Sequence, residues 1–146
     1  MTRFVPEGSK VPLSFAFKAG EYIAVSGQVG HVNFTPVPGG FEAEMRQALL
    51  NLRTALQSHG ADYANVMKAN VFLADINDFG VMNDIWLEFF TEPFPARTAI
   101  AAVLPFGAAV ELEAWAYIGT DGTAELGPTS EINAAAMHRG FRAARI

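Results

Sequence analysis

Arg97 stands between Pro95-Ala96 and a run of thirteen uncharged residues, Thr98 to Val110. That setting puts a guanidinium at the mouth of a buried apolar strand, where an uncompensated cation needs an anion. A guanidinium presents a planar fork of donors, so a small carboxylate gripped by two parallel bonds is the natural guest. An ion pair with one of the protein's own carboxylates is the competing explanation. Glu111 and Glu113 fall on the same side of a later strand as Trp115 and Tyr117, with Val110, Leu112, Ala114 and Ala116 on the other. A glutamate in a partly desolvated cleft can hold or activate water as a general base; an exposed edge carboxylate is the plainer alternative. Asn83, four residues after Phe79 and three before Trp86, places an amide on the apolar side of a helix. A buried amide must find partners, either a backbone group or a ligand. Ser26 supplies a strand-end hydroxyl that either contacts a ligand or caps a turn.

Other chemistries lack their residues. There is no cysteine, which removes disulfides and thiolate chemistry. His31, His59 and His138 stand far apart, with no ligand-spaced pair for a metal. Gly27-Gln-Val-Gly30 suits a tight turn better than a phosphate cradle. The net charge of -5 offers nucleic acid no electrostatic footprint, making it a poor partner. No stretch is apolar for long enough to span a bilayer, and the first residues lack a signal-peptide run, so a cytoplasmic protein is expected.

The elements that must hold these groups follow from periodicity. Leu13 to Gln28 reads as a hairpin turning at Lys18-Ala-Gly-Glu21. A loop from His31 to Gly40 follows, then Phe41, Met45, Ala48, Leu49, Leu52 and Leu56 mark one face of a helix that stops at His59-Gly60. Asn65 to Leu73 reads as a strand with Met67, Ala69, Val71 and Leu73 on one side. Asp75 to Asp78 caps a second helix carrying Phe79, Met82, Trp86, Phe89 and Phe90, which ends before Pro93. Strands from Thr98 to Val103 and from Val110 to Ile118 complete the order ββαβαββ. The expected fold class is α+β: a six-stranded mixed sheet with two helices on one face, leaving an apolar face for a partner chain. Residues 1–118 form the domain; 119–146 form a C-terminal extension, a loop plus a short helix, with Arg139, Arg142 and Arg145 along a solvated side.

In their order and spacing, several segments resemble the reactive intermediate deaminase (Rid, or YjgF-like) family. They are Val25-Ser-Gly-Gln-Val29, Gln47 to Leu52, Gly60-Ala61 with Val66 to Asp75, Asp78-Phe79 with Asn83 and Phe89-Phe90, Pro95-Ala-Arg-Thr98, and Leu104-Pro105 with Val110 to Glu113. The resemblance implies a chorismate-mutase-like homotrimer with clefts at the subunit boundaries. It also implies cofactor-independent hydrolysis of 2-imino acids and their enamine tautomers to 2-keto acids and ammonia. A trimer that binds a carboxylate metabolite without turning it over is the alternative; RNA cleavage fits the charge poorly. By the same resemblance Arg97 matches the arginine that binds the substrate carboxylate, Glu111 the glutamate associated with the hydrolytic water, and Ser26 and Asn83 further cleft positions. Leu13 stands where deaminating members carry tyrosine and Ala99 where many carry cysteine, so two polar groups of the cleft lining are replaced. The segment from Arg97 to Leu104 is one residue shorter, a change able to shift register or remove a bulge ahead of Glu111.

Overall fold

The computed structural model describes residues 1–5, 7 and 11–119; the extension predicted for 119–146 lies, from residue 120 onward, outside them. In chain order the elements are β1 (Thr2–Phe4), β2 (Ala16–Ala19), β3 (Tyr22–Val29), β4 (His31–Val32), β5 (Thr35–Pro36), α1 (Gly40–Gln57), β6 (Val66–Leu73), α2 (Phe79–Phe89), β7 (Ala96–Ala101) and β8 (Val110–Tyr117). Six strands form one mixed sheet in the order β1-β2-β3-β8-β6-β7. Only β6 and β7 run parallel, joined through α2. The α+β architecture with a six-stranded mixed sheet and two helices is therefore as expected. The sixth strand is β1, absent from the order ββαβαββ, pairing Thr2, Arg3 and Phe4 with Lys18, Phe17 and Ala16.

The helices cover one face because their apolar stripes match the inward residues of the strands. Met45, Leu49, Leu52 and Leu56 of α1 and Met82, Ile85 and Trp86 of α2 join Ile23, Val71, Val110 and Leu112 in one core. A fully buried Leu or Ile contributes about 1.5–3 kcal/mol. α1 ends where predicted, with Gly60 at φ 79°, a conformation that costs glycine nothing. Asp75 caps a short 3-10 turn by accepting from the Asn77 amide ahead of α2.

Three details differ from expectation. Met67 is exposed and Val66 buried, because β6 carries an extra residue between the pairs Val66 with Ala116 and Lys68 with Trp115. β7 begins at Ala96 and is an edge strand with Thr98 and Ile100 exposed, so Arg97 lies within an edge and not at the mouth of a buried strand. The loop after β3 holds the small β4–β5 hairpin, turned by Asn33 and Phe34 at φ 51° and 63°. The pairing of β6 with β7 is regular from Lys68 to Leu73, so the shorter segment after Arg97 carries no bulge.

Candidate functional site

Pairing across the sheet decides which way each candidate points. Ala69 and Val71 are buried under the helices and stand opposite Arg97 and Ala99, so those two residues share the helix-covered face. Glu111 and Glu113 alternate with buried Val110, Leu112 and Ala114 and so project from the open face. Within one copy, Arg97 and Glu111 therefore lie on opposite faces of the sheet.

Around Arg97 a half-site is built from α2 and β7. The guanidinium lies over the indole of Trp86, 4.8 Å from the ring centroid, and Nη2 donates to Oδ1 of Asn83. Asn83 and Trp86 meet the same guanidinium because they are three residues apart on one helix face. Burial pulls the Arg97 pKa below the ordinary arginine value, and no carboxylate offsets it; among the described residues the ion pairs belong to Arg46 and Arg53. The guanidinium nevertheless stays charged. It lines an open pocket of about 300 Å³ together with Asn83, Trp86, Leu87, Phe94 and Pro95. Here is a fixed, partly desolvated cation with donors to spare. Ala99, one step along the same face, packs against the core and offers no polar group.

The second half-site gathers at the junction of β3 and β8. β3 sets Ser26 and Gly27 against Glu113 alone, a two-for-one bulge between the pairs Val25 with Ala114 and Gln28 with Leu112. The Glu111 carboxylate lies directly over Gly27, where a Cβ would stand 1.8 Å from Oε1. Burial raises the Glu111 pKa above the usual glutamate range, and the charge of Glu113 pushes the same way. Glu113 itself accepts 2.8 Å from Asn70 Nδ2. Glu111 has no hydrogen-bond partner among the described residues, which leaves both its oxygens able to hold a water. Ser26 Oγ donates 2.7 Å to the Ser14 carbonyl, tying the bulge to the segment before β2 and leaving only its lone pairs for a ligand. Leu13, next to Ser14, is exposed in that segment.

Arg97 with Asn83, and Ser26 with Glu111, thus form two separate groups within one copy, a division that sequence reasoning did not make. It missed Trp86 as the platform under Arg97 and Gly27 as the seat of Glu111. The first was legible in the helical spacing of Asn83 and Trp86. The second was signalled by a glycine inside a strand, which marks close approach as often as a turn. Gly30 has a like cause, since its Cβ would stand 2.4 Å from the backbone of Glu44 in α1. Among the described residues no three His, Cys, Asp or Glu side chains are placed to hold a metal ion.

Residues 7–118 match the family described as Endoribonuclease L-PSP. The chain is 45% identical over 118 residues to a 2-iminobutanoate/2-iminopropanoate deaminase of Bos taurus, covering 79% of this chain and 86% of that one. It is 42% identical over 122 residues to the protein of the same name from Homo sapiens, covering 82% and 89%. Among solved structures, RidA from the Antarctic bacterium Psychrobacter sp. PAMC 21119 superposes with a TM-score of 0.71 at 34% identity, covering 75% of this chain and 91% of that one. The match across nearly the whole sheet and both helices makes the chain a member of the Rid, or YjgF-like, family, the one described as Endoribonuclease L-PSP.

Proposed function

We propose that the protein hydrolyses 2-imino acids and their enamine tautomers to 2-keto acids and ammonia without a cofactor. It does so as a homotrimer in which each cleft joins the Arg97 half-site of one copy to the Glu111 half-site of the next. The observation that carries this reading is the pair of incomplete half-sites: an unneutralised cation with an apolar pocket on one face, an unpartnered carboxylate on the other. The open face also exposes Phe17, Tyr22, Ile100 and Trp115, apolar surface of the kind a second copy covers. Relatives named 2-iminobutanoate/2-iminopropanoate deaminase supply the substrate class.

In this scheme Arg97 grips the substrate carboxylate with the donors left after Asn83 and Trp86 have fixed its plane, and so presents C2 of the imine to the opposite wall. Glu111 accepts a proton from water as its oxygen bonds to C2, and the C=N electron pair moves onto nitrogen. Nitrogen takes that proton, giving the carbinolamine; the hydroxyl proton then passes through Glu111 to the same nitrogen, and the C–N bond breaks to release ammonia as C=O forms. One water is consumed and no electrons change hands, so the change is hydrolysis throughout. The fixed cation offsets the negative charge gathered by carboxylate, Glu111 and the forming alkoxide. A cytoplasmic location goes with this reading; no helix among the described residues is long and apolar enough to cross a membrane.

The test is keto-acid release from 2-iminobutyrate produced in situ by a dehydratase. The wild type accelerates it, and Arg97→Ala loses about 10²- to 10⁴-fold in kcat/KM, the value of two charge-assisted hydrogen bonds. No acceleration by the wild type, or full activity in the variant, rejects the reading.

A further inference from the structure

The pocket beside Arg97 has a composition that bears on which imino acid enters it. Of its six lining residues, Trp86, Leu87, Phe94 and Pro95 are apolar, leaving only Asn83 and Arg97 polar. Asn83 Oδ1 is the single side-chain hydrogen-bond acceptor among them, and Arg97 already takes one of its two lone pairs. Along this wall a hydroxyl or ammonium carried on the substrate side chain would therefore find at most one side-chain lone pair in exchange for the water it loses. An acidic side chain would compete with the α-carboxylate for the same guanidinium. By contrast, Leu87 and Phe94 stand 62% and 46% exposed, apolar surface that a bound hydrocarbon side chain would cover. On one copy alone this open pocket measures about 300 Å³, room for more than a methyl or ethyl group along the wall.

We propose that this wall makes the enzyme selective for 2-imino acids with branched or aromatic apolar side chains, such as those formed by oxidation of leucine or phenylalanine. This rests on the imine-hydrolysis reading above. With the carboxylate on Arg97, the substituent at C2 begins one bond away and lies along Leu87 and Phe94. Covering one or two methylenes in such a pocket is worth about tenfold or more in kcat/KM.

The experiment compares imines generated in situ by an amino-acid oxidase from leucine, phenylalanine and alanine, following keto-acid release against a competing semicarbazide trap. The wild type is expected to favour the leucine or phenylalanine imine over the alanine imine by about tenfold in kcat/KM. The double variant Leu87→Ala, Phe94→Ala brings that ratio close to one, chiefly through KM, whereas Leu87→Met, which keeps the apolar area, retains it. The exposure of both side chains means the fold does not depend on them, and thermal unfolding checks this. Equal or reversed preference in the wild type overturns the proposal while leaving imine hydrolysis standing, as does a preference that survives the double variant. Absence of hydrolysis with every imine overturns the functional reading itself, and this proposal with it.

Discussion

Replacing Gly27 by alanine should separate the position of Glu111 from the stability of the fold. The added methyl would stand 1.8 Å from Glu111 Oε1 and 2.8 Å from its carboxyl carbon. Ordinary contact is about 3.5 Å, so the carboxylate must withdraw by more than about 1.5 Å. What must move is the end of a flexible side chain, and Gly27 sits in strand β3, without the positive φ that would exclude alanine. The cost to the fold is then about 0.5–1.5 kcal/mol, that of an off-rotamer glutamate. The cost to catalysis is larger, because misplacing a positioned group by about 1 Å costs on the order of 10²-fold. Steady-state keto-acid release gives kcat/KM, and a thermal melt on the same preparation gives stability. Wild-type kcat/KM in a folded Gly27→Ala protein would refute the placement of Glu111 at the reacting centre. So would a loss of activity that merely follows loss of the folded protein.

Two other predictions concern the ionisation of Glu111 and the seating of α1 on the sheet. Glu111 has a raised pKa, so its ionised form, and with it kcat/KM, is lost as pH falls through a value above the usual glutamate range. Glu113→Gln removes one of the two causes and should move the acid limb of the pH profile to lower pH; an unmoved limb would detach that limb from Glu111. Gly30→Ala would press a methyl group to 2.4 Å from the Cα and carbonyl oxygen of Glu44. This time the obstacle is backbone, so α1 must shift on the sheet, at about 1–3 kcal/mol in urea unfolding; unchanged stability would mean that the helix yields freely.

The parts of the fold that were legible in the sequence are those where one apolar period dominates. Phe41 to Leu56 spell out α1, and the alternation from Val110 to Tyr117 places the two glutamates opposite the core. Local exceptions hid the rest. β1 is three residues at a sheet edge, too short for alternation to register. Asn33 and Phe34 turn a hairpin with a phenylalanine in a conformation that usually selects glycine or asparagine, so no turn signal appears. Glu44 is buried and accepts from the Ala109 amide, 2.8 Å away, although its type reads as surface. At the site, composition around Arg97 indicated a cation in need of an anion. That it shares a face with Asn83 and Trp86, and is turned away from Glu111, depends on sheet order, which the residues of β7 alone do not encode.

The most direct measurement is a crystal structure of the protein soaked with 2-ketobutyrate. The expected result is a carboxylate bonded to Arg97 beside Asn83, with Glu111 of a neighbouring copy facing the keto carbon across the cleft. A ligand bound elsewhere, or Arg97 closed in a salt bridge with a carboxylate of that neighbouring copy, would contradict the account at its centre.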